Sequence, residues 1–130
     1  MTIVEQLARF LAARLRLPFE AADGDGAVFF GYMPDAPARA VCVYAADLRD
    51  GDDDRGTLVQ VAIRSDADGA WPLEIAEAIM RRLDGCQDAL FTPDGSYVHR
   101  VEAVRGFEFN GTDASGAQYY SAEFRVFGCA

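Results

Sequence analysis

Apolar positions in this chain recur with two different periods. At the start, Ile3, Leu7, Phe10, Leu11 and Leu15 come every three to four residues, while Glu5, Arg9 and Arg16 fall mostly off that stripe. Thr2 and Glu5 stand at the capping-box spacing, in which each side chain satisfies an amide orphaned by the helix start. Pro18 then stops the helix. A second helix is predicted to open near Trp71-Pro72, where proline suits the first helical position. Leu73, Ala76, Ile79, Met80 and Leu83 form its expected buried stripe; Glu74, Glu77, Arg81 and Arg82 are expected in solvent, and Gly85 is placed to end it in a left-handed conformation.

Elsewhere the period falls to two. Strands are predicted at about Ala27–Tyr32 and Arg39–Ala46, separated by Met33-Pro34-Asp35-Ala36-Pro37, whose prolines bar both a helix and a continuous ladder. The turn-rich stretch AADGDG, residues 21–26, precedes them. Thr57 to Ser65 alternates cleanly, with Leu58, Gln60, Ala62 and Arg64 on one face and Val59, Val61 and Ile63 on the other. The second and third strands read as a hairpin with an acidic tip, Asp47 to Gly56. Asp88 to Gly95 reads as irregular; strands follow at about Tyr97–Val104 and Gln118–Phe127, with a shorter extended piece at Phe107–Phe109. The expectation is a single α+β domain over residues 1–130: a mixed or antiparallel sheet of four to five strands with two helices packed on one face.

Aromatic residues complicate that two-layer picture. Period two puts Phe29 on one face of the sheet and Phe30 and Tyr32 on the other; Tyr120 and Phe124 likewise oppose Tyr119 and Phe127. Rings on both faces imply that the second face is also covered, by a loop or by another subunit.

Charge narrows the possible partners. The net charge is -9, and all 12 basic residues are arginines, single except for Arg81-Arg82 and the Arg14/Arg16 pair. No basic stripe can be drawn, so direct nucleic-acid binding is not expected. No apolar run approaches the roughly 20 residues of a membrane-spanning helix. The first residues lack the basic leader, apolar block and small-residue cleavage site of a signal peptide.

Candidate chemistry is sparse. Asp50-x-Asp52-x-Asp54 mimics the opening of a calcium-binding hand, but the sixth and twelfth positions hold Arg55 and Val61 and the flanks are strands. A solvated hairpin tip is the first reading, weak divalent-ion binding the second. The cysteines Cys42, Cys86 and Cys129 show no CxxC spacing and His99 is the sole histidine, so neither zinc nor a nucleophile–base pair is expected. A reducing compartment is the simplest inference from them. No GxSxG elbow exists. Gly24-Asp25-Gly26 precedes a strand, whereas a phosphate cradle follows one. No catalytic, cofactor or metal residues are assigned, and the chain does not read as an enzyme.

Three stretches carry a family resemblance: GAVFFGYMPDAPARAVCVY from Gly26, VQVAIRSD from Val59 with the helix bearing Ala76, Ile79 and Leu83, and RGFEFNGTDASGAQYYSAEFRV from Arg105. In order and spacing the chain resembles bacteriophage minor capsid and tail-terminator (head–tail joining) proteins. It departs from them in its aspartate run, where similar proteins often carry a glycine-rich turn. Asp113-Ala114-Ser115-Gly116-Ala117 also lacks the arginine of an acidic-Gly-Arg turn. Those departures touch loop contacts more than the fold.

The resemblance implies a structural virion protein, phage- or prophage-encoded and assembled in the bacterial host cytoplasm. Family members form a homo-oligomeric ring, generally hexameric, that caps the tail tube and joins tail to head. The implied partners are the tail-tube protein and a head-completion protein, with DNA passing through unbound. Asp50, Asp52, Asp53, Asp54 and Arg55 are the expected partner-contact loop. The alternative is a small cytoplasmic α+β ligand-binding or enzymatic domain, which would need polar groups such as Tyr97, His99 and Gln60 to converge.

Overall fold

The computed structural model of the chain describes residues 2–21, 24–46, 56–66, 69–85, 87–91 and 97–129. Thr2 caps helix α1 (Ile3–Leu15), its Oγ1 accepting the Glu5 N–H at 3.2 Å. The Glu5 carboxylate engages Arg9 one turn on, at 2.9 Å. The helix ends on Arg16 in the left-handed region, φ 58°, just ahead of Pro18. Helix α2 (Ala70–Leu83) starts without a side-chain cap and is followed by Gly85 at φ 75°, as its sequence predicts.

Among the described residues the sheet has six strands: β1 (Ala27–Phe30), β2 (Ala40–Ala45), β3 (Thr57–Ser65), β4 (Gln87–Phe91), β5 (Tyr97–Thr112) and β6 (Gln118–Cys129), in the order β1-β2-β3-β6-β5-β4. Among these strands β1 and β2 pair in parallel and the others antiparallel, so the sheet is mixed. Parallel neighbours need the chain to travel back along the strand. Because β1 has four residues, roughly 13 Å, the short segment from Gly31 to Arg39 suffices. Two details differ from the sequence reading. Part of the stretch read as irregular forms β4, an edge strand beside the start of β5. The two extended pieces around Val104 and Phe107 are one strand, β5, kept continuous by register shifts against β6.

Both helices pack on one face. There Leu7, Leu11, Ile79 and Leu83 meet Val28, Val41, Val43, Val59, Val61, Ile63, Val101, Phe124 and Val126 in one dry core. Helix α1 lies over β1 and β2 and also reaches β4, so the sheet curls around it. One predicted core position is wrong. Leu73 is 62 % exposed, and Trp71 and Ile75 pack against the core instead, because the buried stripe of α2 runs through Pro72, Ile75, Ile79 and Leu83.

The alternation read in β3 is observed: Val59, Val61 and Ile63 face the helices, and Leu58, Gln60, Ala62 and Arg64 the other side. Phe30 is on the helix side, stacked on Phe19 at 5.9 Å, and Phe29 on the second face.

Candidate functional site

On the second face, at the β1–β2 end, a small apolar strip is covered by the chain itself. Ala27, Phe29, Ala40 and Cys42 are buried there beneath Ala21, Met33 and Tyr44. Met33 comes from the Gly31–Arg39 connection, which crosses this face as a strap. Arg64, the register partner of Ala40, fastens it: Nη2 donates to the Pro37 carbonyl at 2.6 Å and Nε to the Ala38 carbonyl at 3.3 Å. Arg64 is only 7 % exposed. Burial pushes the Cys42 thiol up. Burial, then the hydrogen bond shared with Cys42, raises Tyr44 as well.

Beside the strap lies an open groove of about 450 Å³ bounded by Asp35, Arg64, Asp66, Asp113, Ser115 and Tyr119. Its far wall is the β5–β6 turn, which Asp113 organises. One carboxylate oxygen accepts from the Ser115 amide (2.9 Å), the Ser115 hydroxyl (2.7 Å) and the Ala117 amide (3.0 Å). The other accepts from the Tyr119 hydroxyl at 2.9 Å. These bonds, that of Ser115 foremost, lower the Asp113 carboxyl to about 2, and the bond to Asp113 raises Tyr119. On the opposite wall Asp66 accepts from Arg39 at 3.3 Å. The Asp66 and Asp113 carboxylates are thus already engaged with their own chain, and among the described residues no cluster of His, Cys, Asp or Glu could hold a metal ion.

Beyond the strap the second face is a lattice of charge. Arg105 bridges Glu123 (2.9 Å) and Glu108 (2.7 Å), Glu123 being the main cause of its raised pKa. Arg100 pairs with Glu102 at 3.0 Å and lies 4.3 Å over the Phe127 ring. Asn110 donates to Ser121 at 2.7 Å. Two of the rings expected to need cover on this face have it within one chain, Phe29 under the strap and Phe127 under a guanidinium, while Tyr119 is partly exposed on the groove wall. Large apolar groups still reach solvent at Tyr32, Val104 and Phe109, which are 69 %, 53 % and 57 % exposed.

The sequence-predicted contact residues Asp50, Asp52, Asp53, Asp54 and Arg55 lie outside the described residues. The base from which their loop leaves is described. The Ala46 amide donates to the Leu58 carbonyl at 2.9 Å, and Gly56 sits at φ 69° against β6. A Cβ on Gly56 would come within 2.8 Å of the Val126 carbonyl oxygen, so this exit is a fixed anchor. The loop's described exit at Ala46 and Gly56 and the groove lie at opposite ends of β3, one before it and one after it.

Tyr97, His99 and Gln60 are not brought together by the backbone. Gln60 pairs with Glu123, whereas His99 falls between the partners of Phe127 and Gly128; four residues of strand, roughly 13 Å, separate them. Arg64 and Asp113 are organisers that the sequence reading does not pick out. For Asp113 a signal exists, an acidic residue two before serine in a turn. Arg64 has only its place on the polar face of β3.

No curated protein matches the chain. No described helix is long and apolar enough to cross a membrane. A family model described as bacteriophage tail terminator protein matches residues 19–126, which takes in nearly all of the sheet and the whole of α2. With its α+β fold and the same order of strands, helix and closing hairpin that carries the resemblance, the chain belongs to the bacteriophage tail terminator family, a family of structural proteins of the virion tail.

Proposed function

We propose that copies of this chain close into a ring on the end of the phage tail tube and that this ring then joins the tail to the head. The observation that carries the reading is the family match across residues 19–126. The exposed apolar groups Tyr32, Val104 and Phe109 support it, because they give neighbouring subunits surface to bury. The ring contacts the tail-tube protein on one side and a head-completion protein on the other, assembles in the bacterial host cytoplasm, and performs no catalysis.

In this reading the acidic tip faces the bore or the last tube ring. Asp50, Asp52, Asp53 and Asp54 present carboxylates to passing DNA, which repel phosphates and forfeit counterion release, so the duplex slides without sticking. Arg55 pairs with a neighbouring subunit. The net charge of -9 favours such a non-stick wall. The anchored exit at Gly56 gives the loop a fixed origin at one end of the sheet. The test is replacement of the four aspartates by asparagine. Circular dichroism and thermal unfolding should stay as in the parent, while head–tail joining in an assembly assay falls. Normal joining by the variant would remove the tip from the mechanism.

A further inference from the structure

We propose that the Gly31–Arg39 strap is a lid that opens as a local unit, with Arg64 as its latch, uncovering the apolar strip of Ala27, Phe29, Ala40 and Cys42. The proposal does not depend on ring formation. The strip is a satellite cluster, separated from the main core by the sheet itself, and neither α1 nor α2 covers it. Among the described residues its cover is small: Met33 is the strap side chain packed on it, joined by Ala21 and Tyr44. Of the rest of the strap, Tyr32 is 69 % exposed and Asp35 and Ala36 are exposed as well, while Pro37 is buried. The strap can therefore lift without disturbing β1 and β2, whose pairing lies in the sheet.

What holds the lid is specific. The guanidinium of Arg64 grips two consecutive carbonyls, Pro37 at 2.6 Å and Ala38 at 3.3 Å, and the side chain is 7 % exposed. A planar fork can hold two adjacent acceptors at once; an ammonium holds one. Segments with few apolar contacts and a small number of specific bonds open at free energies well below that of global unfolding. Cys42, fully buried in the strip, is a built-in reporter. Its thiol reacts only when the lid is open and the sulfur ionised.

The experiment uses the full chain with Cys86→Ser and Cys129→Ser, leaving Cys42 as the one thiol. Its modification by an aromatic disulfide reagent is followed at constant pH and rising urea, below the unfolding transition. The expected result is labelling that depends only weakly on urea, since a small opening exposes little surface. Arg64→Leu should speed labelling about tenfold or more, the size of change expected when a buried charge-assisted pair of bonds is lost. Arg64→Lys should fall between. Met33→Ala should also speed labelling, which keeps the test available if the Arg64 variants fail to fold. Labelling with the full urea dependence of global unfolding in the parent and in Met33→Ala would overturn the lid. Equal rates in the parent and in a folded Arg64→Leu would overturn the latch.

Discussion

The two faces of the sheet are built from the same strands by opposite means. On the helix side, Val59, Val61, Phe124 and Val126 are wholly buried under α1 and α2. On the other side, their immediate neighbours Gln60, Glu123 and Arg125 remain partly in solvent, and order comes from ion pairs, a guanidinium over a ring and a strap. The difference teaches where stability resides. Burial on the first face is non-directional and large, roughly 1.5–3 kcal/mol for each big side chain. Polar pairing on the second face adds little stability but fixes where charges and rings stand. A surface of that kind can be changed for partner contact without unfolding the subunit.

The sharpest way to break this comparison is to mutate adjacent residues of β6. Phe124→Ala should lower unfolding free energy by about 3–5 kcal/mol. Glu123→Ala, one residue away and facing the other side, should change it by no more than about 0.5 kcal/mol. Urea denaturation of both variants measures the contrast, and similar losses would show that the faces do not differ as described.

Gly56 comes next in size. Its positive φ, and the Val126 carbonyl oxygen 2.8 Å from where a methyl group would stand, leave no room for a side chain. Gly56→Ala should cost about 1–3 kcal/mol, read as a lowered urea midpoint. It should also weaken tail joining beyond the stability loss if the acidic loop needs that fixed exit.

A smaller effect follows from Asp113. Its carboxyl titrates at about 2 in the folded chain against an ordinary 3.8. A depressed carboxyl stabilises the fold above the unfolded value, and that contribution is lost as pH falls from 3.8 toward about 2. Asp113→Asn should therefore flatten the dependence of the urea midpoint on pH in that window and leave the rest of the profile unchanged. The smallest effect belongs to Leu73→Gln, within about 0.5 kcal/mol, whereas Ile79→Ala on the same helix should cost about 2–5 kcal/mol.

Much of the fold is legible because the signals are local. The Thr2 cap, the α1 stripe, the Gly85 stop and the alternation of β3 all follow from residues within a few positions of one another. Long-range pairing is not legible. β4 has no alternating pattern and exists because β5 offers it an edge; β5 stays continuous through Gly106 because β6 pairs along its length. The phase of α2 departs from expectation at Leu73 because Pro72 enters the stripe one residue earlier.

The site is less legible than the fold. Alternation places Arg64 on the polar face, yet nothing near it in sequence shows that it grips carbonyls 26 and 27 residues earlier. Asp113 stands out in the sequence only for the arginine its turn lacks, not for the four bonds it accepts. The family resemblance rests on the order and spacing of strands, which is why it survives these local errors.

The most direct test of the account is electron microscopy of purified tail tubes incubated with this chain. The account predicts rings with a central hole seated on one end of each tube, with the tube walls bare. Tube ends that stay bare under saturating protein, or decoration along the walls, would contradict it.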